Sequence, residues 1–148
     1  MKSEVIQKII LDIEANCNLS KRSVEDVVLI GASKSQTIKK IIEAYRDGIN
    51  NFGENYLQEA EEKIIQLDQD IVWHFIGSIQ SRKAKKIAEI FDWVHTIDSF
   101  KVADKLNSAR PKSKGVLNAC LQINIDDEES KSGAVSYTHL TLPTIYSV

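Results

Sequence analysis

From Val27 onward the chain alternates short apolar runs with amphipathic stretches, at a period of about 22 residues, the length of one strand, one helix and two turns. Strands are expected at 27–32 (VVLIGA), 51–53 (NFG), 72–77 (VWHFIG), 93–97 (WVHTI) and 116–125 (VLNACLQINI). Between them Ile38, Ile41, Ile42 and Tyr45 share a helical face closed by Gly48, and Leu57, Ala60, Ile64 and Ile65 form the next stripe. Ala84, Ile87, Ile90 and Phe91 follow, then Val102, Leu106 and Ala109 before Pro111. Ahead of the repeat, Ile6, Ile9, Ile10, Ile13 and Cys17 predict an opening amphipathic helix over residues 3–17. A strand such as VVLIGA has no polar alternation, so it is expected to be buried on both faces, as parallel sheets with crossover helices require.

Two architectures satisfy that pattern: an open doubly wound sheet and a β/α barrel. GASKSQ after the first strand is not the G-x-G-x-x-G turn of a dinucleotide-binding open sheet, and no G-x-x-x-x-G-K-[ST] loop is present. The short, even period favours the barrel, which takes eight units in roughly 250 residues. At 148 residues the chain supplies fewer. The expectation is an α/β, TIM-type (β/α) barrel, incomplete at about five βα units and preceded by an N-terminal helix.

Residues 1–133 and 134–148 read differently. The 19 basic and 21 acidic residues all lie in the first segment, and the last 15 positions, AVSYTHLTLPTIYSV, carry none. At average usage such a run arises about once in a hundred. A buried strand is the alternative, but Pro143 and the scattered Ser and Thr fit it poorly. VSYTHL at 135–140 also back-translates to a widely used transposase sequencing adapter. Residues 134–148 are therefore expected to be a non-native tail on a shortened reading frame.

The net charge of −2 predicts no strong attraction to nucleic acid or an anionic membrane. Lys8, Asp12 and Glu14 interrupt the first helix, which lacks a signal-peptide core, and no run reaches a membrane span. Cys17 and Cys120 lie far apart without a C-x-x-C or histidines at ligand spacing. Two reduced thiols in a cytoplasmic protein are the expectation, with no metal site.

Chemistry on β/α folds gathers where strands end. Lys34 follows VVLIGA at such an end. Near apolar walls its charged form loses solvation, and the neutral amine can form a Schiff base with an aldehyde or ketone. Alternatively it snorkels into water. FGENY brings Glu54 and Asn55 to the same edge; Asn55 can donate to a phenolic or carbonyl oxygen, and Glu54 suits a helix N-terminus. WHFIGSIQSRK delivers His74 within its strand and Ser78 and Gln80 beyond it. His74 is either hydrogen-bonded structure or an acid–base group. His95 and Asp98 of HTID repeat the theme, with Asp98 as a candidate helix cap. The run RKAKK at 82–86 reads as a solvated helix face.

Taken in order, GASK, FGENY, WHFIGSIQSRK, HTID, LQINI and SKSG resemble the pyridoxal phosphate homeostasis proteins, once called proline synthetase co-transcribed proteins. The resemblance extends to about Gly133. It implies a barrel like the N-terminal domain of alanine racemase, with Lys34 matching the lysine that holds pyridoxal 5′-phosphate as a Schiff base. By the same carry-over Asn55 is expected beside the cofactor, and His74, Ser78 and Ser132 near the mouth. Ser35, Gln36 and Thr37 depart from the usual continuation toward a proline, and the later strands that form the phosphate cup lie beyond the match. The implied role is storage and delivery of the cofactor, with pyridoxal-phosphate-dependent apoenzymes as recipients. Catalysis is not implied, because a racemase draws a second base from a further domain and a partner subunit. The rivals are a Schiff-base racemase or aldolase on the same barrel, and an inert shortened chain.

If the last segment is non-native, amides of residues 138–142 will exchange with solvent at unprotected rates. Strong protection there in a hydrogen-exchange measurement makes the segment a genuine strand instead.

Overall fold

The computed structural model describes residues 3–125 and 133–134. Helix α1 (Glu4–Leu19) is followed by a 3-10 turn at Val24–Asp26. Then come β1 (Ile30–Ala32), α2 (Ile38–Arg46), β2 (Asn51–Glu54), α3 (Leu57–Ile64), β3 (Val72–Phe75), α4 (Ala84–Ile90), β4 (Trp93–Ile97), α5 (Phe100–Ala109), a second 3-10 turn at Lys112–Lys114, and β5 (Asn118–Leu121). The described strands form one sheet in the order β1-β2-β3-β4-β5, every neighbouring pair parallel.

That order separates the two architectures left open by the sequence. A doubly wound sheet reverses strand order at a switch point. Here each strand lies beside its sequence neighbour, and right-handed crossovers then carry the connecting helices to one face. This is the β/α-barrel arrangement. The core lies between that face and the helices, where Phe75, Phe91, Val94, Ile87, Val102 and Leu106 are buried. Phe91 meets Phe75 edge-on, with ring centroids 5.1 Å apart.

The first helix docks on the second through Asp47. Its carboxylate accepts from the Ser3 N–H at 2.9 Å and its carbonyl from the Gln7 amide at 2.9 Å. Gly48 then turns the chain with φ +108°, a conformation that favours glycine. At the far side, Arg110 caps α4: its guanidinium donates to the carbonyls of Ala88 and Phe91, both at 2.7 Å. The same group reaches Gly115 and Lys114 carbonyls at 3.0 Å, so it also folds the approach to β5.

Three sequence expectations are revised. The strand expected at 27–32 is short, because Ile30 is the first residue with a partner, Asn51. Val28 is accordingly 54% exposed rather than buried. The strand expected at 116–125 contracts to Asn118–Leu121, with a register shift inside it, between the Val94–Ala119 and Ile97–Leu121 pairs. The α3 stripe runs Leu57, Ala60, Lys63, leaving Ile65 exposed. Beyond β5, Ile123 bridges Ala134, which is buried; the remaining tail positions, 135–148, lie outside the described residues.

Phe91→Ala is expected to cost about 3–5 kcal/mol in a denaturant titration. Val28→Ala is expected to change stability by no more than about 0.5 kcal/mol, and a large loss there restores the longer strand.

Candidate functional site

Because the strands are parallel, the segments leaving β1, β2, β3 and β4 emerge at one edge of the sheet. Lys34 lies there, two residues beyond β1, exposed in a turn where Ser35 takes φ +58°. The expected apolar surroundings are not found at this lysine; it points to solvent, and its neighbours carry the constraint.

Ser33 is buried. Its N–H donates to the Gly53 carbonyl at 2.9 Å and its hydroxyl to Glu54 Oε1 at 2.6 Å. Glu54 is fully buried, not a solvated helix-terminal acid, and its charge is met by Lys63 Nζ at 2.7 Å. Lys63 uses its three N–H donors fully: Glu54 Oε1, Glu59 Oε1 and the Ser33 carbonyl each lie at 2.7 Å. Glu59 Oε1 also accepts from the Ser35 N–H at 2.6 Å. The Lys63 hydrogen bond holds the Glu59 carboxyl below its ordinary range against partial burial, with the Ser35 N–H adding to it. Removing one partner of such a buried pair costs about 3–5 kcal/mol, because it strands the other charge.

Asn55 follows β2, and its Oδ1 is buried with no hydrogen-bond partner. Its Nδ2, the donor expected from the sequence, also makes no hydrogen bond among the described residues. Gly77 shapes this corner: a Cβ there would stand 2.0 Å from the Asn55 carbonyl oxygen. The Ile76 N–H donates to the Glu54 carbonyl at 2.9 Å and the Thr96 hydroxyl to the Gly77 carbonyl, so the ends of β2, β3 and β4 are fastened together. Ser78 and Gln80 are exposed beyond β3. Asp98 makes no capping bond to α5, and Lys86 of the basic run pairs with Glu61 at 3.3 Å. Ser132 lies outside the described residues.

The register places Ala32, Gly53, His74 and Trp93 side by side. His74 stacks on Trp93 with centroids 5.7 Å apart and planes 11° from parallel. Its Nε2 lies 2.8 Å from Asn51 Oδ1 and its Nδ1 2.9 Å from His95 Nε2. An amide oxygen only accepts, so His74 carries its proton on Nε2, and His95 Nε2–H donates to Nδ1. Burial first, then the neighbouring His95, lowers the His74 pKa to about 4 against a smaller opposing pull from Asp92. Burial lowers His95 as well. Both ring nitrogens of His74 are engaged, which is the structural alternative of the two weighed for it.

Ser33, Glu59 and Lys63 had no motif to announce them. The available signal was the spacing of Leu57, Ala60 and Lys63, which puts the lysine on the buried face of α3. Among the described residues no group of three or more His, Cys, Asp or Glu is placed to hold a metal ion.

A sequential parallel β/α sheet with a lysine just past its first strand defines a class that the comparisons make specific. Residues 11–141 match the alanine racemase N-terminal domain, and the chain belongs to that family. It is 47% identical over 133 residues to the pyridoxal phosphate homeostasis protein of Haemophilus influenzae, covering 88% of this chain and 56% of that one. The Escherichia coli protein of the same name is 46% identical over 116 residues, covering 76% and 50%. Among solved structures, PipY of Synechococcus elongatus without pyridoxal phosphate superposes with a TM-score of 0.69 at 35% identity, over 82% of this chain and 58% of that one. PipY with pyridoxal phosphate bound gives 0.66 at 34%, over 84% and 57%. The chain thus spans about half the length of the curated relatives it matches.

His74 makes the fold acid-sensitive in a defined window. Its folded pKa, about 4, lies below the unfolded 6.5. Between those values the unfolded chain binds the extra proton, so stability is full above pH 6.5 and falls toward pH 4, by up to about 3 kcal/mol. NMR titration of the imidazole checks this, together with a proton on Nε2. A midpoint near 6.5 contradicts the arrangement.

Proposed function

We propose that this chain carries part of a pyridoxal 5′-phosphate site whose role is to hold and hand on the cofactor. The observation that carries the reading is the pairing, at one sheet edge, of an exposed primary amine at Lys34 with the half-buried Asn55, whose side-chain amide N–H makes no hydrogen bond among the described residues. Those two groups fit an aldehyde and a phenolic hydroxyl, both of which pyridoxal phosphate presents. The names of the relatives and the cofactor-bound PipY structure support the same choice.

When bound, the cofactor supplies an aldehyde that a neutral amine captures covalently and reversibly. Lys34 provides the amine, and its exposure keeps release open. Asn55 would donate its amide N–H to the ring phenolic oxygen. Ser78 and Ser132 complete the proposed polar contacts. His74, with both nitrogens engaged, backs the site by fixing Asn51, His95 and Trp93 across the sheet.

Storage and delivery suit this chemistry better than turnover. His74, with its pKa lowered to about 4 and both ring nitrogens engaged, is assigned no acid–base role. We infer pyridoxal-phosphate-dependent apoenzymes as recipients, and the cytoplasm as the setting. Two unpaired cysteines accord with that compartment, and no described helix is long and apolar enough to cross a membrane.

Borohydride reduction in the presence of pyridoxal phosphate is expected to fix the cofactor on the peptide containing Lys34, and Lys34→Ala to abolish that product. Mass spectrometry of the digest decides it. Principal labelling at Lys83 or Lys131 overturns the assignment.

A further inference from the structure

We propose that Glu59 and Lys63 are positioning residues that hold the turn bearing Lys34 and so set the direction of its amine. The proposal rests on the cofactor reading above for the role of Lys34, but its structural content is separate. Lys34 itself forms no ion pair or hydrogen bond among the described residues, whereas the peptide groups on either side of it are tied down. Before it, the Ser33 carbonyl accepts from Lys63 Nζ at 2.7 Å while the Ser33 hydroxyl reaches Glu54 at 2.6 Å. After it, the Ser35 N–H donates to Glu59 Oε1 at 2.6 Å, and that same oxygen takes Lys63 Nζ at 2.7 Å. One buried ammonium therefore governs both anchors.

The geometry suits a turn that would otherwise relax. Ser35 has φ +58°, which is uncommon for a residue with a side chain and persists where the surroundings hold it. The Glu59 bond is the part of the surroundings that acts on Ser35 directly. A charge-assisted bond is worth more than a neutral one, and here the acceptor is a carboxylate kept ionised by the adjacent ammonium. A long lysine side chain on an unrestrained turn samples many directions. On a fixed turn it samples a cone about one direction.

Lys63→Met strands the buried Glu54 carboxylate and risks unfolding, so Glu59 is the better handle. Its side chain is 27% exposed, and Glu59→Ala leaves the Glu54–Lys63 pair in place. The share of borohydride-fixed pyridoxal phosphate found on Lys34, relative to all other lysines, is expected to fall about tenfold in Glu59→Ala, the equivalent of one charge-assisted hydrogen bond. Glu59→Gln, which keeps an acceptor oxygen, is expected to restore most of it. A control of comparable lost stability, Leu106→Ala in the core, is expected to leave the share unchanged, which a merely structural role does not predict. The Ser35 amide is expected to exchange faster in Glu59→Ala than in the parent chain. An unchanged Lys34 share in Glu59→Ala overturns the proposal. If the parent chain fixes no cofactor at Lys34, the cofactor reading fails, and the anchor is then judged by Ser35 exchange alone: faster exchange in Glu59→Ala upholds it and equal exchange overturns it.

Discussion

A parallel strand that pairs with its immediate successor in sequence leaves little freedom for anything around it. The crossover helix must lie on one side, the next helix on that same side, and every strand must finish at the same edge. In this chain the first four strands open at even intervals, at Ile30, Asn51, Val72 and Trp93. One face is consequently sealed by helices and built from Phe75, Phe91 and Val94. The other carries the row Ala32, Gly53, His74, Trp93. Chemistry has one address, the shared edge, and the residues that crowd there do so because of strand order rather than closeness in sequence.

Crowding at that edge creates a problem of polarity that the side chains solve locally. Glu54 ends its strand inside the protein, where an unpaired carboxylate is untenable. Lys63, on the following helix, arrives with its three donors aimed at three acceptors. The second Glu54 oxygen, Oε2, remains without a partner, as does Asn55 Oδ1 next to it. Buried polar groups are normally satisfied, and of the three such orphans among the described residues, the third being Gln69 Oε1, two fall in consecutive residues at this corner.

The βα period was readable because it depends on local apolar patterning, which each segment carries by itself. The lengths of β1 and β5 were not, because they depend on where a neighbour's backbone becomes available: Val27–Leu29 have the composition of a strand and nothing to pair with. Lys34 and Asn55 could be singled out from their places after apolar runs, and the family resemblance gave them a chemistry. The restraint on Lys34 was hidden. It runs through Lys63 and Glu59, some 25 to 30 positions away, and a lysine flanked by Glu61, Glu62 and Ile64 looks like any solvated helix residue. Only the stripe Leu57, Ala60, Lys63 hinted otherwise. His74 was ambiguous for a similar reason, since its partners Asn51 and His95 belong to two other strands.

Arg110 joins pieces of chain that strand order alone does not. Its guanidinium bonds the carbonyls that end α4 and those that introduce β5, while β4 and α5 lie between them in sequence. Opening either region strands donors held by the other. The stretch from α4 to β5 is therefore bound into a single cooperative unit of local unfolding, separate from the fastening of β1 to β2 and α3 through Lys63. Lys34 belongs to the second of these units, so opening the Arg110 region leaves the anchors of its turn in place.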